Sequence, residues 1–132
     1  MKQHCENAEK VKNFLQKHSK VEKVIYSTLH AGEIGERAKR YLKGGNGALM
    51  GIELKGGLEA GKKFIDSLKM FYHVANIGDA RSLAIHPAST THSQLNAKDM
   101  AAAGVTPGYV RLSIGIEHAD DIIADLDQAL NA

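Results

Sequence analysis

The sequence is poor in cysteine and in aromatic residues. Its single cysteine, Cys5, excludes an intrachain disulfide. Only 5% of its residues are aromatic and none is tryptophan, so stacking platforms for nucleic-acid bases are not expected. It also lacks an apolar run near the roughly 20 residues that a membrane helix needs, and its first residues, "MKQHCENAEK", do not resemble a signal peptide. We therefore expect a cytoplasmic protein that binds neither membranes nor nucleic acid.

The sequence also lacks a large excess of either positive or negative charge. The 17 Lys and Arg residues nearly balance the 15 Asp and Glu residues, which gives a net charge of +2. The 132 residues, 43% of them hydrophobic, suit one globular domain that spans residues 1–132.

Hydrophobic spacing predicts an interleaving of helices and strands. The helices are expected over 3–18, 32–42, 96–104 and 119–131, and within "GGLEAGKKFIDSLKM", where Leu58, Ile65 and Leu68 share a side. The strands are expected over 21–27, 48–54, 82–87 and 109–116. Because several strands alternate apolar with polar residues, we predict an α+β fold, a mainly antiparallel sheet with helices packed on one face.

The strand "YVRLSIGI" contains one charged residue, Arg111. Its alternation directs four apolar residues towards the helices, namely Val110, Leu112, Ile114 and Ile116. The opposite, open face then holds Tyr109, Arg111, Ser113 and Gly115. From the pattern alone, Arg111 is either a solvated surface residue or an anion site whose planar guanidinium matches a carboxylate. The small side chains of Ser113 and Gly115 would leave room for a ligand.

Other candidate motifs are weaker. The segment 73–94 is rich in small polar groups and is either a functional loop or an ordinary connection. His73, His86 and His92 have no Cys or carboxylate at zinc-like spacing, so we expect no metal site. The glycine run "GGNGALMG" does not match a dinucleotide fingerprint. Cys5 is interpreted as a helix-face residue rather than a nucleophile.

Three runs together resemble a known family: "NIGDARSL", "HPASTTH" and "VRLSIGIEH". They are similar to the C-terminal domain of the cysteine/methionine-metabolism family of pyridoxal-phosphate (PLP) enzymes, and within it to the O-acetylhomoserine sulfhydrylase branch. The likeness runs from about His4 to Leu130. It implies the C-terminal domain of a fold-type-I PLP transferase of methionine and cysteine biosynthesis, with PLP as cofactor and a homo-oligomeric assembly.

The resemblance also implies roles for three residues. The arginine of the strand motif, here Arg111, would bind the α-carboxylate of the amino-acid substrate. The residue ten positions before the "HPA" histidine, here Asn76, would lie near the same carboxylate. The hydroxyl of Thr91, in "STTH", would support the site.

One departure from the family concerns the Schiff-base lysine, which lies in a segment like S-x-T-K that has no match here. The large PLP-binding domain that carries it is absent from this sequence. We therefore expect no catalytic residue in this chain, no PLP bound covalently to it and no activity when it is isolated.

The sequence is compatible with three functions. The first is a substrate-carboxylate domain of an enzyme that converts O-acetylhomoserine and sulfide into homocysteine and acetate. The second is a stand-alone module that binds small carboxylates or another protein without catalysis. The third possibility, a histidine-based metal enzyme, has the least support.

Overall fold

The computed structural model describes all 132 residues of the chain. The chain forms five helices and five strands, with short 3₁₀ turns at Ser27–Leu29 and Pro87–Ser89. The helices are α1 (Lys2–Leu15), α2 (Gly32–Tyr41), α3 (Gly57–Ser67), α4 (Ala97–Ala102) and α5 (Ala119–Leu130). The strands are β1 (Val21–Ile25), β2 (Leu49–Leu54), β3 (Tyr72–His73), β4 (Leu83–Ile85) and β5 (Tyr109–Ser113).

The strands form one sheet in the order β1-β2-β5-β4-β3, so the last strand of the chain lies at its centre. Every neighbouring pair is antiparallel except β3 and β4, which run parallel. The predicted α+β fold with a mainly antiparallel sheet is therefore confirmed. None of the helices combines the length and apolar content required to cross a bilayer.

Helices α1, α3 and α5 cover one face of the sheet and bury the main core against it. Core side chains recur at three- and four-residue steps, as in Ile122, Leu126 and Ala129 of α5. The predicted face of α3 is partly wrong, because Leu58 is 37% exposed while Phe64 is buried. Leu58 lies in the first turn, before the helix reaches the core through Gly61, Phe64 and Ile65.

The end of β5 differs from the prediction, which extended this strand to residue 116. Ile114 still donates its N–H to the carbonyl of Ala48, but the N–H of Ile116 donates to the carbonyl of Ala80, at 2.8 Å. The backbone therefore leaves β2 and crosses to residues 80–82. Ile116 is 50% exposed as a result, so its predicted place in the core is wrong.

A buried tyrosine makes the stability of the fold sensitive to high pH. The Tyr26 hydroxyl donates to the carbonyl of Gly47 at 2.7 Å, and burial raises the pKa of this phenol above its ordinary value of 10.0. Above pH 10 the unfolded chain loses this proton while the folded chain keeps it. We expect the free energy of unfolding to fall as the pH rises, with a slope from this residue that approaches about 1.4 kcal/mol per pH unit once the unfolded tyrosine is fully ionised.

Denaturant titrations between about pH 9 and pH 11 measure this effect, since they bracket the ordinary tyrosine pKa. The matched variant is Tyr26→Phe, which keeps the ring and removes the ionisable group. Its stability should decline less steeply than that of wild type in this range. Equal slopes for the two proteins would contradict the prediction.

Candidate functional site

Arg111 lies at the middle of the central strand, on the face of the sheet opposite the main core. Its neighbours across the sheet are Gly51 of β2 and Ile85 of β4. Val110 and Leu112, on either side of it in sequence, are fully buried in the core. The alternation of β5 thus fixes Arg111 on the open face, as the sequence predicted.

The guanidinium of Arg111 has few partners. Its Nη2 donates one hydrogen bond, to the backbone carbonyl of Asn76 at 3.2 Å. No carboxylate forms an ion pair with it. Because a guanidinium carries five N–H donors and a full positive charge, this half-buried side chain can still donate two parallel hydrogen bonds to an anion.

The nearby Arg81 provides a contrast. Its Nε pairs with Asp79 Oδ1 at 3.4 Å, and its guanidinium stacks over the Tyr72 ring at 4.2 Å from the centroid. The backbone N–H of Arg81 also bonds Asp79 and, with its side chain, holds the pKa of that carboxyl below the usual range. The positive charge of Arg81 is therefore already paired with the Asp79 carboxylate, whereas that of Arg111 is paired with no carboxylate.

Tyr109 is a part of the site to which the sequence assigned no role. Its ring lies directly over Gly51, where any Cβ would collide with it. Burial raises the pKa of the Tyr109 phenol, and the positive charge of Arg111 opposes that rise. The phenol stays neutral at ordinary pH and can donate a hydrogen bond. A glycine in the middle of a strand was the available signal, since it marks a close approach by another group.

A cleft of about 430 Å³ lies between α2 and the open face of the sheet. Arg111 and Tyr109 form part of its wall, and His30 is another polar group at its border. Much of the remaining lining is apolar or small and includes Ile25, Ile34, Ala38, Leu49 and Gly51. A cation beside an apolar wall suits a small molecule with a carboxylate and a short carbon chain.

The structure brings Asn76 to Arg111, but through its backbone. Asn76 lies in the connection between β3 and β4 and is exposed. Its side-chain Oδ1 accepts the N–H of Ile77 at 2.9 Å, while its carbonyl oxygen meets Arg111. The carboxylate-binding role of Asn76 stays a prediction.

Thr91 forms no hydrogen bond with Arg111 and does not line the cleft. It follows the 3₁₀ turn at Pro87–Ser89, is exposed, and its hydroxyl hydrogen-bonds His92 Nδ1 at 2.8 Å. Its supporting role also stays a prediction.

Ser113 and Gly115 do not provide the free space expected of them. Ser113 is 4% exposed. Gly115 packs against the carbonyl of Ala80 and the carboxylate of Glu117, where a Cβ would not fit. The small residue at 115 accommodates the neighbouring connection rather than a ligand.

His86 is a structural residue in this fold. It is fully buried, with Nδ1 2.8 Å from the Ser89 hydroxyl and Nε2 2.7 Å from the carbonyl of Pro107. Since a carbonyl can only accept, Nε2 carries the proton. The ring fits because position 61 of α3 is glycine. No group of three or more possible metal-ligating side chains occurs in the chain.

The lining of the cleft beside Arg111 includes no lysine. PLP enzymes of the type implied by the sequence hold the cofactor aldehyde on a lysine amine, and no lysine lines the cleft beside Arg111. Lys20, Lys55 and Lys63 line a separate cleft of about 210 Å³ together with Phe64 and Leu130. The residues present therefore do not fit covalent attachment of PLP at this site.

Comparisons with known proteins identify the family of the chain. A family model described as Cys/Met metabolism PLP-dependent enzyme matches residues 1–131. The chain is 56% identical over 131 residues to O-acetyl-L-homoserine sulfhydrylase of Leptospira meyeri, which covers 98% of the chain and 30% of that protein. It is 48% identical over 130 residues to L-methionine gamma-lyase of Fusobacterium nucleatum subsp. polymorphum, covering 98% of the chain and 33% of that protein.

A solved structure also resembles the whole chain. It is a protein of Campylobacter jejuni assigned as an O-acetylhomoserine (thiol)-lyase, crystallised with N'-pyridoxyl-lysine-5'-monophosphate. The TM-score is 0.89 at 43% sequence identity, over 99% of this chain and 31% of the other. The chain thus spans about a third of the length of the relatives that it matches.

Proposed function

Because the chain belongs to the Cys/Met metabolism PLP-dependent enzyme family, we propose that residues 1–132 form the C-terminal, substrate-carboxylate-binding domain of a PLP-dependent sulfhydrylase. The complete enzyme would convert O-acetylhomoserine and sulfide into homocysteine and acetate. The cofactor, when bound to the complete enzyme, supplies the electron sink. The Schiff-base lysine would belong to the large PLP-binding domain of a homo-oligomeric enzyme.

One observation carries this proposal: the guanidinium of Arg111 is half-buried beside a cleft, has one neutral partner and has no ion pair. Two parallel hydrogen bonds from it to an α-carboxylate would fix the orientation of the amino acid, which is catalysis by positioning. Asn76 and Thr91 are proposed to support the same carboxylate. The choice of a sulfhydrylase over a γ-lyase follows the higher identity to the former, 56% against 48%.

The alternative function is a stand-alone module that binds small carboxylates without catalysis. Arg111, Tyr109 and the cleft all lie within this one chain, which favours ligand binding by the chain alone. Both functions share the carboxylate site and differ in whether a partner domain restores turnover.

The isolated chain should bind O-acetyl-L-homoserine but produce no homocysteine from it and sulfide. Binding is expected because the cation and cleft are present, and turnover is not expected because no lysine lies beside them. Calorimetric titration measures the first property, and a thiol assay with added PLP and sulfide measures the second.

A matching large domain, supplied as a separate chain, then distinguishes the two functions. Restored turnover supports the enzyme domain, whereas saturable binding without restored turnover supports the module. Turnover by the 132-residue chain alone would contradict the proposal that its residues serve only in binding.

A further inference from the structure

Residues 80–82 are joined to residues 115–117 by a group of hydrogen bonds that we call the polar clamp, formed by Asn7, Ser82, Gly115 and Glu117. Glu117 Oε1 accepts the backbone N–H of Ser82 at 2.6 Å, and its Oε2 accepts the Ser82 hydroxyl at 2.9 Å. The hydroxyl oxygen of Ser82 in turn accepts the N–H of Gly115 at 2.9 Å. Ser82 is fully buried and Glu117 is half-buried, so water is excluded from the serine side of these bonds.

Asn7 connects the clamp to α1. Its side-chain Nδ2 donates to the carbonyl of Gly115 at 3.1 Å and to the carbonyl of Glu117 at 2.8 Å. Asn7 is also fully buried. The clamp is therefore fixed to a core helix rather than to another loop.

The connection 74–81 passes over the open face between β3 and β4, and the clamp fixes its returning end. The carbonyl of Ala80 accepts the N–H of Ile116 at 2.8 Å, and Asp79 accepts the N–H of Arg81 at 2.9 Å. The carbonyl of Asn76, earlier in the same connection, is the one partner of the Arg111 guanidinium. This carbonyl and the clamp thus lie at two ends of one short connection.

We propose that Glu117 is a positioning residue: by holding Ser82 it sets the place of the Asn76 carbonyl, which in turn directs the Arg111 guanidinium towards its ligand. The consequence for ligand binding rests on the proposed function. The consequence for the chain by itself does not, because it concerns only contacts between residues of this chain.

Two replacements at residue 117 test whether the hydrogen bonds of the Glu117 side chain matter, or only its volume. The carboxylate receives two donors from one residue, Ser82. Glu117→Gln keeps one acceptor oxygen and adds an NH₂ group that can donate to the Ser82 hydroxyl. Glu117→Leu fills a similar volume and provides neither. The conservative variant should therefore retain the arrangement, and the apolar variant should lose it.

The first measurement uses the ligand-free chain. Nuclear magnetic resonance relaxation should give rigid backbone amides for residues 76–81 in wild type and Glu117→Gln. In Glu117→Leu their order parameters should fall below about 0.6, and the Arg111 Nε–Hε resonance should move to the position of a solvated arginine. Should Glu117→Leu not fold, Ser82→Ala removes one link of the clamp and supplies the same readouts.

The second measurement is a titration with O-acetyl-L-homoserine. Misdirection of the guanidinium should raise Kd about tenfold or more in Glu117→Leu, while Glu117→Gln stays within about threefold of wild type. Leu15→Ala is the control for general destabilisation, because Leu15 is a core residue at the C-terminal end of α1, eight positions after Asn7. It should leave both the Arg111 resonance and Kd unchanged.

The proposal would be overturned if Glu117→Leu left the order parameters of residues 76–81 and the Arg111 resonance unchanged. It would also be overturned if Leu15→Ala changed these two quantities as much as Glu117→Leu does. If wild type binds no O-acetyl-L-homoserine, the proposed function fails instead. The ligand-free spectra still decide the role of Glu117 in that case.

Discussion

Arg111→Ala should weaken binding of O-acetyl-L-homoserine by at least about 30-fold, corresponding to about 2 kcal/mol or more for a charge-assisted pair. The substitution removes the positive group that lacks an ion-pair partner beside the cleft. Arg111→Lys keeps the charge but loses the planar fork, so its affinity should lie between those of Arg111→Ala and wild type. Calorimetric titration of the three proteins measures these differences.

The folded state should tolerate both changes. Arg111 donates a single hydrogen bond and lies on the open face, so its replacement should alter the free energy of unfolding by no more than about 1 kcal/mol. Arg40→Ala is the matched control, since Arg40 is an exposed cation of α2 that stacks on Tyr41. Unchanged affinity in Arg111→Ala, or an equal loss in Arg40→Ala, would exclude Arg111 as the carboxylate ligand.

Features of this fold that depend on neighbouring residues in sequence were predictable. The Asn96 side chain accepts the N–H of Asp99 at 3.0 Å and caps α4, and an asparagine directly before a short helical run is the local sequence signal for such a cap. Gly104, which follows that helix, has a φ of +74°, a backbone conformation that favours glycine. The open-face position of Arg111 also followed from alternation within a single strand.

Features that depend on distant residues were not predictable from the pattern. The end of β5 is set by hydrogen bonds from Gly115 and Ile116 to Ser82 and Ala80, more than 30 positions earlier in the chain. Local alternation carries no information about such partners, so it extended the strand too far. For the same reason, the sequence placed Asn76 near Arg111 only through the family resemblance and did not indicate that the backbone carbonyl makes the contact.

Asp125 is another residue whose role depends on distant partners, and its removal should have a large effect on stability. It is 7% exposed on α5. Its Oδ1 accepts the N–H of Lys69 at 2.9 Å, and its Oδ2 accepts those of Met70 at 2.9 Å and Phe71 at 3.3 Å. Asp125→Ala leaves three backbone donors without their partner where α3 turns towards β3. We expect a loss of about 3 kcal/mol or more in the free energy of unfolding.

Denaturant unfolding of a graded series tests this role of Asp125. Asp125→Asn keeps the shape but has one acceptor oxygen, so its loss should be smaller than that of Asp125→Ala. Asp121→Ala is the matched control on the same helix, because Asp121 is exposed and contributes only through the helix dipole. Its cost should not exceed about 1 kcal/mol. If Asp125→Ala lowers the free energy of unfolding no more than Asp121→Ala does, the Asp125 carboxylate does not hold the α3–β3 connection. Gln128, which donates to the carbonyl of Ser67 at 2.7 Å, then becomes the better candidate for holding it.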